Sequence, residues 1–106
     1  MSGSAPGFSV ATPTRNALDK LRRCVGSVRG QRADGGVAVE HLVQDARSSD
    51  GTPDWLAALP DVMGVSEPDR GMYDAIHRAW ARSRGAYLSW LNADEQYLPG
   101  TLAFVQ

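Results

Sequence analysis

Two hydrophobic rhythms alternate along this chain. Leu18, Leu21, Val25 and Val28 recur at helical spacing while Lys20, Arg22, Arg23 and Arg29 point elsewhere, which predicts an amphipathic helix. Asn16 stands at its expected N-cap with Asp19 three residues on, and Gly30 is the expected stop, so residues 29–36 read as a charged, glycine-rich loop. A stronger helical face joins Met72, Ala75, Ile76, Ala79, Trp80 and Ser83. Asp74 and Arg78 can pair one turn apart on its outside, and Gly85 is the expected residue just past its end. Between these two, Pro53 opens a short helix with Trp55, Leu56 and Leu59 on its apolar side, and Pro60 closes it. The other apolar runs are short, and their β-branched and aromatic content predicts strands over residues 8–12, 37–44, 62–66 and 86–91. A last helical turn is expected after Pro99-Gly100.

Strand and helix alternate throughout residues 8–106, whereas residues 1–7 are small and polar and read as a flexible N-terminus. Such alternation predicts an α/β fold: a mainly parallel sheet of about four strands with helices on both faces. Ligands of open parallel sheets bind outside the carboxyl ends of the strands. Polar and acidic residues collect at four such ends, over residues 13–16, 45–50, 67–71 and 92–95. A polar ligand lying across the top of the sheet is the economical reading.

Composition narrows the chemistry. A chain of 106 residues is one domain at most, and a net charge of -1 leaves no electrostatic footprint for nucleic acid. Cys24, the single cysteine, excludes an internal disulfide and is expected to be packed in its helix. No apolar run approaches the roughly 20 residues of a spanning helix, and the N-terminal residues lack a signal-peptide core, so the expected location is cytoplasmic. Neither a dinucleotide-binding glycine motif nor a P-loop occurs. The acidic turn at Asp94 therefore suggests that a divalent metal, manganese or magnesium, handles any phosphate charge.

Four segments carry a family resemblance. Thr12-Pro13-Thr14-Arg15-Asn16, residues 45–52, residues 66–75 (which include Glu67-Pro68-Asp69-Arg70-Gly71) and residues 90–100 (which include Asn92-Ala93-Asp94-Glu95) together resemble the first half of the family 2 glycosyltransferases. That resemblance implies a partial, Rossmann-like GT-A fold whose residues 8–106 hold a nucleoside diphosphate sugar, a UDP-sugar being favoured. It implies that Pro13, Thr14 and Asn16 line the nucleoside pocket, that Asp45 accepts a hydrogen bond from the base, and that Asp69 approaches the nucleoside or sugar. Asn92, Ala93 and Asp94 would form the DxD-type turn, with Asp94 the metal-binding acid. Transfer to an acceptor hydroxyl would proceed with inversion. Asn92 and Glu95 depart from the usual acids of that turn, Arg47 stands where glycine is common, and His77 stands where asparagine is common. Arg47 reads as a solvated loop residue, His41 and His77 as packing or surface residues, and Trp55, Trp80 and Trp90 as core-type positions.

The family takes its catalytic base and acceptor contacts from a second half, so a partial domain without a complete transferase site is expected. If the sheet follows the order that the resemblance implies, 3-2-1-4, the fourth strand would expose Tyr87, Leu88, Trp90 and Leu91 at an edge, and self-association or pairing with a separate C-terminal half would follow. The competing reading is a non-catalytic domain that binds nucleotides or joins another subunit. A receiver-like signalling domain is disfavoured, because Pro13-Thr14-Arg15-Asn16 lacks the acidic pair it needs.

Overall fold

The computed structural model describes residues 7–35 and 38–102. Residues 1–6, the expected strand start at Val37 and the end of the expected last helical turn, 103–106, lie outside the described residues. Seven elements alternate: β1 (Phe8–Thr14), α1 (Leu18–Gly35), β2 (Val39–Asp45), α2 (Thr52–Ala57), β3 (Val62–Ser66), α3 (Met72–Ala81) and β4 (Tyr87–Trp90). All four strands are parallel, in the order β3-β2-β1-β4. This is the expected α/β architecture and strand order. No described helix is long and apolar enough to cross a membrane.

Alternation along the inner strands sends side chains to two cores. Phe8 and Val10 of β1 and Val39 of β2 meet Cys24 and Val28 of α1, while Val43 joins Leu21, Val25 and Leu56, so α1 and α2 cover one face. Ala11 and Leu42 meet Ile76 and Ala79 of α3 on the other. Each fully buried Leu or Val here contributes roughly 1.5–3 kcal/mol. Cys24 is buried as expected, and burial first of all pushes its thiol up to about 11.

Several local expectations are corrected. Helix α1 does not stop at Gly30 but runs on through Gly35. Tertiary contacts carry it: Gln31 is buried, donating to Leu98 O at 2.8 Å and accepting from Leu102 N at 2.7 Å. Arg29 and Arg32 both reach Asp61, and Arg32 Nε also donates to Val39 O. Gly85 is not the residue just past α3, whose C-cap is Arg82. Its lack of a side chain serves a close approach instead, because a Cβ there would lie 2.8 Å from the backbone of Phe8 and Ser9.

Strand β1 passes through Pro13 rather than ending there. Gly7 O and Ala11 O accept from Tyr87 N and Leu91 N, so odd-numbered residues of β1 face β4. Pairing with β4 is over by Ala11, and the missing amide of Pro13 therefore faces no strand. Trp90 is not a core residue: it is 48% exposed, while its ring packs edge-on against Trp80 at 6.2 Å. With Tyr87 and Leu88 it forms the exposed apolar edge at β4.

Candidate functional site

The carboxyl ends of all four strands open into one cleft of about 690 Å³. Its walls are Pro13 and Thr14 at the end of β1 with Arg15 after it, Ala46 and Arg47 after β2, Pro68, Asp69 and Gly71 after β3, and Asn92, Ala93 and Asp94 after β4. Ala17 and Lys20 add the start of α1, and Met72 and Ala75 the start of α3. Because β1 and β2 are the inner strands, the cations Arg15 and Arg47 follow inner strands while the carboxylates Asp69 and Asp94 follow outer ones. None of Arg15, Lys20 and Arg47 makes an ion pair among the described residues. Two buried polar atoms of the walls, Thr14 Oγ1 and Asn92 Oδ1, have no hydrogen-bond partner there. Burying such atoms unpaired costs roughly 1–3 kcal/mol each, so a ligand able to bond them would recover that cost.

Two expected binding residues do not line the cleft. Asp45 is fully buried, and its carboxylate accepts from Ser48 N at 2.9 Å, from Ser66 Oγ at 2.8 Å and from Ser48 Oγ. Three donors already hold it in this arrangement. Asn16 turns away too, its Oδ1 accepting from Ser49 N at 2.8 Å while Ser48 Oγ accepts from Asn16 N at 2.7 Å. Nor does Asn16 cap α1: the first helical amide, Leu18 N, donates to Asp50 Oδ2 at 3.0 Å. Asn16 and Asp50 lace the loop after β2 to the segment after β1, while Asp45 ties the same loop to Ser66 of β3, and together they order the loop that carries Ala46 and Arg47. Arg47 has a φ of 52°, left-handed backbone that glycine adopts without cost. An arginine held there costs about 1–2 kcal/mol.

Comparison with known proteins decides the family. Residues 9–104 match Glycosyl transferase family 2. The chain belongs to this family. An uncharacterized glycosyltransferase of Mycobacterium tuberculosis is 38% identical over 96 residues, which cover 89% of this chain and 36% of that protein. A PGL/p-HBAD biosynthesis glycosyltransferase of Mycobacterium tuberculosis is 32% identical over 108 residues, covering 96% of this chain and 41% of that protein. Among solved structures, the mannosyltransferase PcManGT of Pyrobaculum calidifontis, in complex with GDP-Man and Mn2+, superposes with a TM-score of 0.78 at 27% identity, over 95% of this chain and 31% of that one. TarS of S. aureus, in complex with UDP-GlcNAc, shares the fold at a TM-score of 0.76 and 19% identity. The fold is therefore GT-A, and the chain spans about a third to two fifths of the proteins it matches.

In this family 2 chain the acidic turn is held by its own backbone. Glu95 N donates to Asn92 O and Asn92 N donates to Glu95 Oε1, both at 2.9 Å, so the Glu95 carboxylate is committed to the turn. Among the described residues no three His, Cys, Asp or Glu side chains gather into a metal cage. Asp94 and the unpartnered Oδ1 of Asn92 still suit a hard divalent cation, which is commonly held through one or two protein oxygens and completed by substrate phosphates. Several lining residues fell outside the expected binding set, among them Arg15 of the first motif, to which the resemblance assigned no role. Lys20 carries no motif signal, and Met72, expected on the buried face of α3, is 41% exposed at the cleft.

Proposed function

We propose that this chain forms the donor side of a glycosyltransferase, binding a nucleoside diphosphate sugar across the four strand ends. The observation that supports it is one cleft combining three unpaired cations with two unpartnered buried polar atoms, a lining suited to sugar hydroxyls and a diphosphate. The mannosyltransferase neighbour, determined with GDP-Man and Mn2+, supports the same ligand class. In this reading Pro13 and Thr14 meet the nucleoside, Asp69 approaches the nucleoside or sugar, and Asn92, Ala93 and Asp94 border the diphosphate. Asn16 and Asp45 act one step back, by ordering the loop that presents Arg47.

A divalent cation held by Asp94 and Asn92 would stabilise the negative charge of the departing diphosphate. Transfer breaks the bond from the anomeric carbon to that diphosphate and forms one to an acceptor hydroxyl, with inversion. The hydroxyl proton needs a base. Asp69 and Asp94 are the carboxylates of the cleft and both serve the donor in this reading, so the base and acceptor contacts are assigned to the remainder of a full-length transferase.

Calorimetric titration with UDP, GDP and their sugars, with and without manganese, tests the reading. The expected result is binding that manganese tightens in the wild type but not in Asp94→Asn. A folded chain that binds none of these nucleotides under either condition would sink it. A second reading, nucleotide capture or subunit pairing without turnover, draws support from the exposed Tyr87, Leu88 and Trp90 at the β4 edge. A product assay separates the two.

A further inference from the structure

We propose that Lys20 and Thr14 Oγ1 form the diphosphate anchor of this cleft, a role that deepens the donor-binding reading and rests on it. Lys20 is the only lysine of the chain, and it sits in the first turn of α1. That turn is rigidly placed: Ala17 and Leu21 pack with Ala93, so the start of the helix lies beside the acidic turn after β4. Thr14 is 7% exposed, lines the same cleft, and its Oγ1 has no hydrogen-bond partner among the described residues. Register places Thr14 on the α1 side of the sheet, with Phe8 and Val10 of the same strand, so both groups approach from one wall. An ammonium and a hydroxyl converging there would bind the oxygens of a diphosphate, the first by charge and the second by donating a hydrogen bond.

The other two cleft cations are less suited to this role. Arg15 and Arg47 sit on exposed loops, whereas groups mounted on a packed helix are held more accurately. The helix end itself offers little to an anion, since Asp50 already accepts from Leu18 N and Asp19 lies in the first turn. Lys20 therefore supplies the charge at this wall. Its position also lets it act whether or not a divalent cation is present.

Lysine uniqueness makes the test direct. Amine acylation of the wild-type chain, read by mass spectrometry, reports Lys20 and the N-terminal amine, and the latter serves as internal reference. UDP, GDP and inorganic pyrophosphate are each expected to protect Lys20 selectively in EDTA as well as in manganese, whereas uridine and guanosine are not. In parallel, Lys20→Gln should weaken UDP or GDP binding by about 10-fold or more while nucleoside binding is unchanged, and Lys20→Arg should restore most of the loss; Thr14→Val, at a residue that also meets the nucleoside, should weaken UDP and GDP more than uridine and guanosine. Nucleotide binding by the wild type that leaves Lys20 fully reactive, or Lys20→Gln binding UDP and GDP as tightly as the wild type, overturns the anchor and leaves the donor-binding reading standing. Absence of all nucleotide binding in the folded wild type overturns both.

Discussion

Gly85 and Gly26 make opposite predictions from the same substitution. An alanine Cβ at Gly85 would lie 2.4 Å from Ser9 Oγ and 2.8 Å from both the Phe8 carbonyl carbon and Ser9 N. The last two are backbone atoms of the central strand β1, so relief requires β1 and β4 to part. Ser9 Oγ, which accepts from Gly85 N at 2.7 Å and donates to Glu40 Oε1 at 2.7 Å, would lose at least one bond. Overpacking of this kind costs about 1–3 kcal/mol, and a lost hydrogen bond about 1 more, so Gly85→Ala is expected to destabilise by ~3 kcal/mol. For a chain of this size that lowers Tm by roughly 12–24 °C. At Gly26, in the interior of α1, nothing lies within 4 Å of an added Cβ. Gly26→Ala should stabilise by about 0.5–1 kcal/mol. Thermal unfolding followed by far-ultraviolet circular dichroism measures both. A Gly85→Ala protein melting within a few degrees of wild type, or the two variants shifting Tm in the same direction, would refute the close approach of the Gly85 backbone to β1.

Replacing Asp45 by alanine removes the acceptor of Ser48 N, Ser48 Oγ and Ser66 Oγ, and should cost about 3 kcal/mol in urea unfolding while weakening nucleotide binding through the loosened Arg47 loop. Burial, reinforced by Arg32, lowers His41 to about 3 in the folded chain, below its unfolded value of about 6.5. The stability from neutral His41 is then complete above pH ~6.5 and declines toward pH ~3, with a slope approaching ~1.4 kcal/mol per unit. Carboxylates titrate mainly below pH ~5, so a His41→Gln protein should show a flatter stability profile than wild type between about pH 6.5 and 5; equal slopes would contradict it. Light scattering across a concentration series should detect association of the wild type through β4, and Leu88→Lys, which charges a side chain 52% exposed on that edge, should reduce it.

The strand order came from the family resemblance, whereas element identity was legible because it rests on periodicity, which one chain displays in full. Strand β3 and the apolar face of α3 through Ala75, Ile76 and Ala79 follow from it directly. Boundaries set by tertiary contacts were not legible. Gly30 looks like a helix stop, yet the buried Gln31 and the Arg32–Asp61 pair beyond it hold α1 together for another turn. Gly85 looks the same and is there because β1 passes beside it. Strand ends announced the cleft, since polar residues gathered where apolar runs stopped. Lys20 escaped because on a helix's polar face a cation that meets solvent and one that meets a ligand have the same spacing. Asp45 and Asn16 carried a motif signal whose meaning changed once Ser48, Ser49 and Ser66 were seen to occupy their side chains.

The charge layout of the cleft is a product of topology rather than of any local segment. Read in chain order, the charges that the strand ends bring to the cleft run Arg15, Arg47, Asp69, Asp94, two positive and then two negative. A sheet with strands in sequential order would therefore separate a basic half from an acidic half. The observed order β3-β2-β1-β4 moves β4 beside β1 and flanks the basic centre with an acid on each side. Lys20, one turn into α1, adds to that centre from the side of β1. A ligand with a concentrated anionic middle and neutral hydroxyl-bearing ends matches this layout better than a uniformly charged one, and a nucleoside diphosphate sugar has that form. The lining residues named above all belong to this chain, so substitutions at them test the proposed donor binding separately from any transfer step.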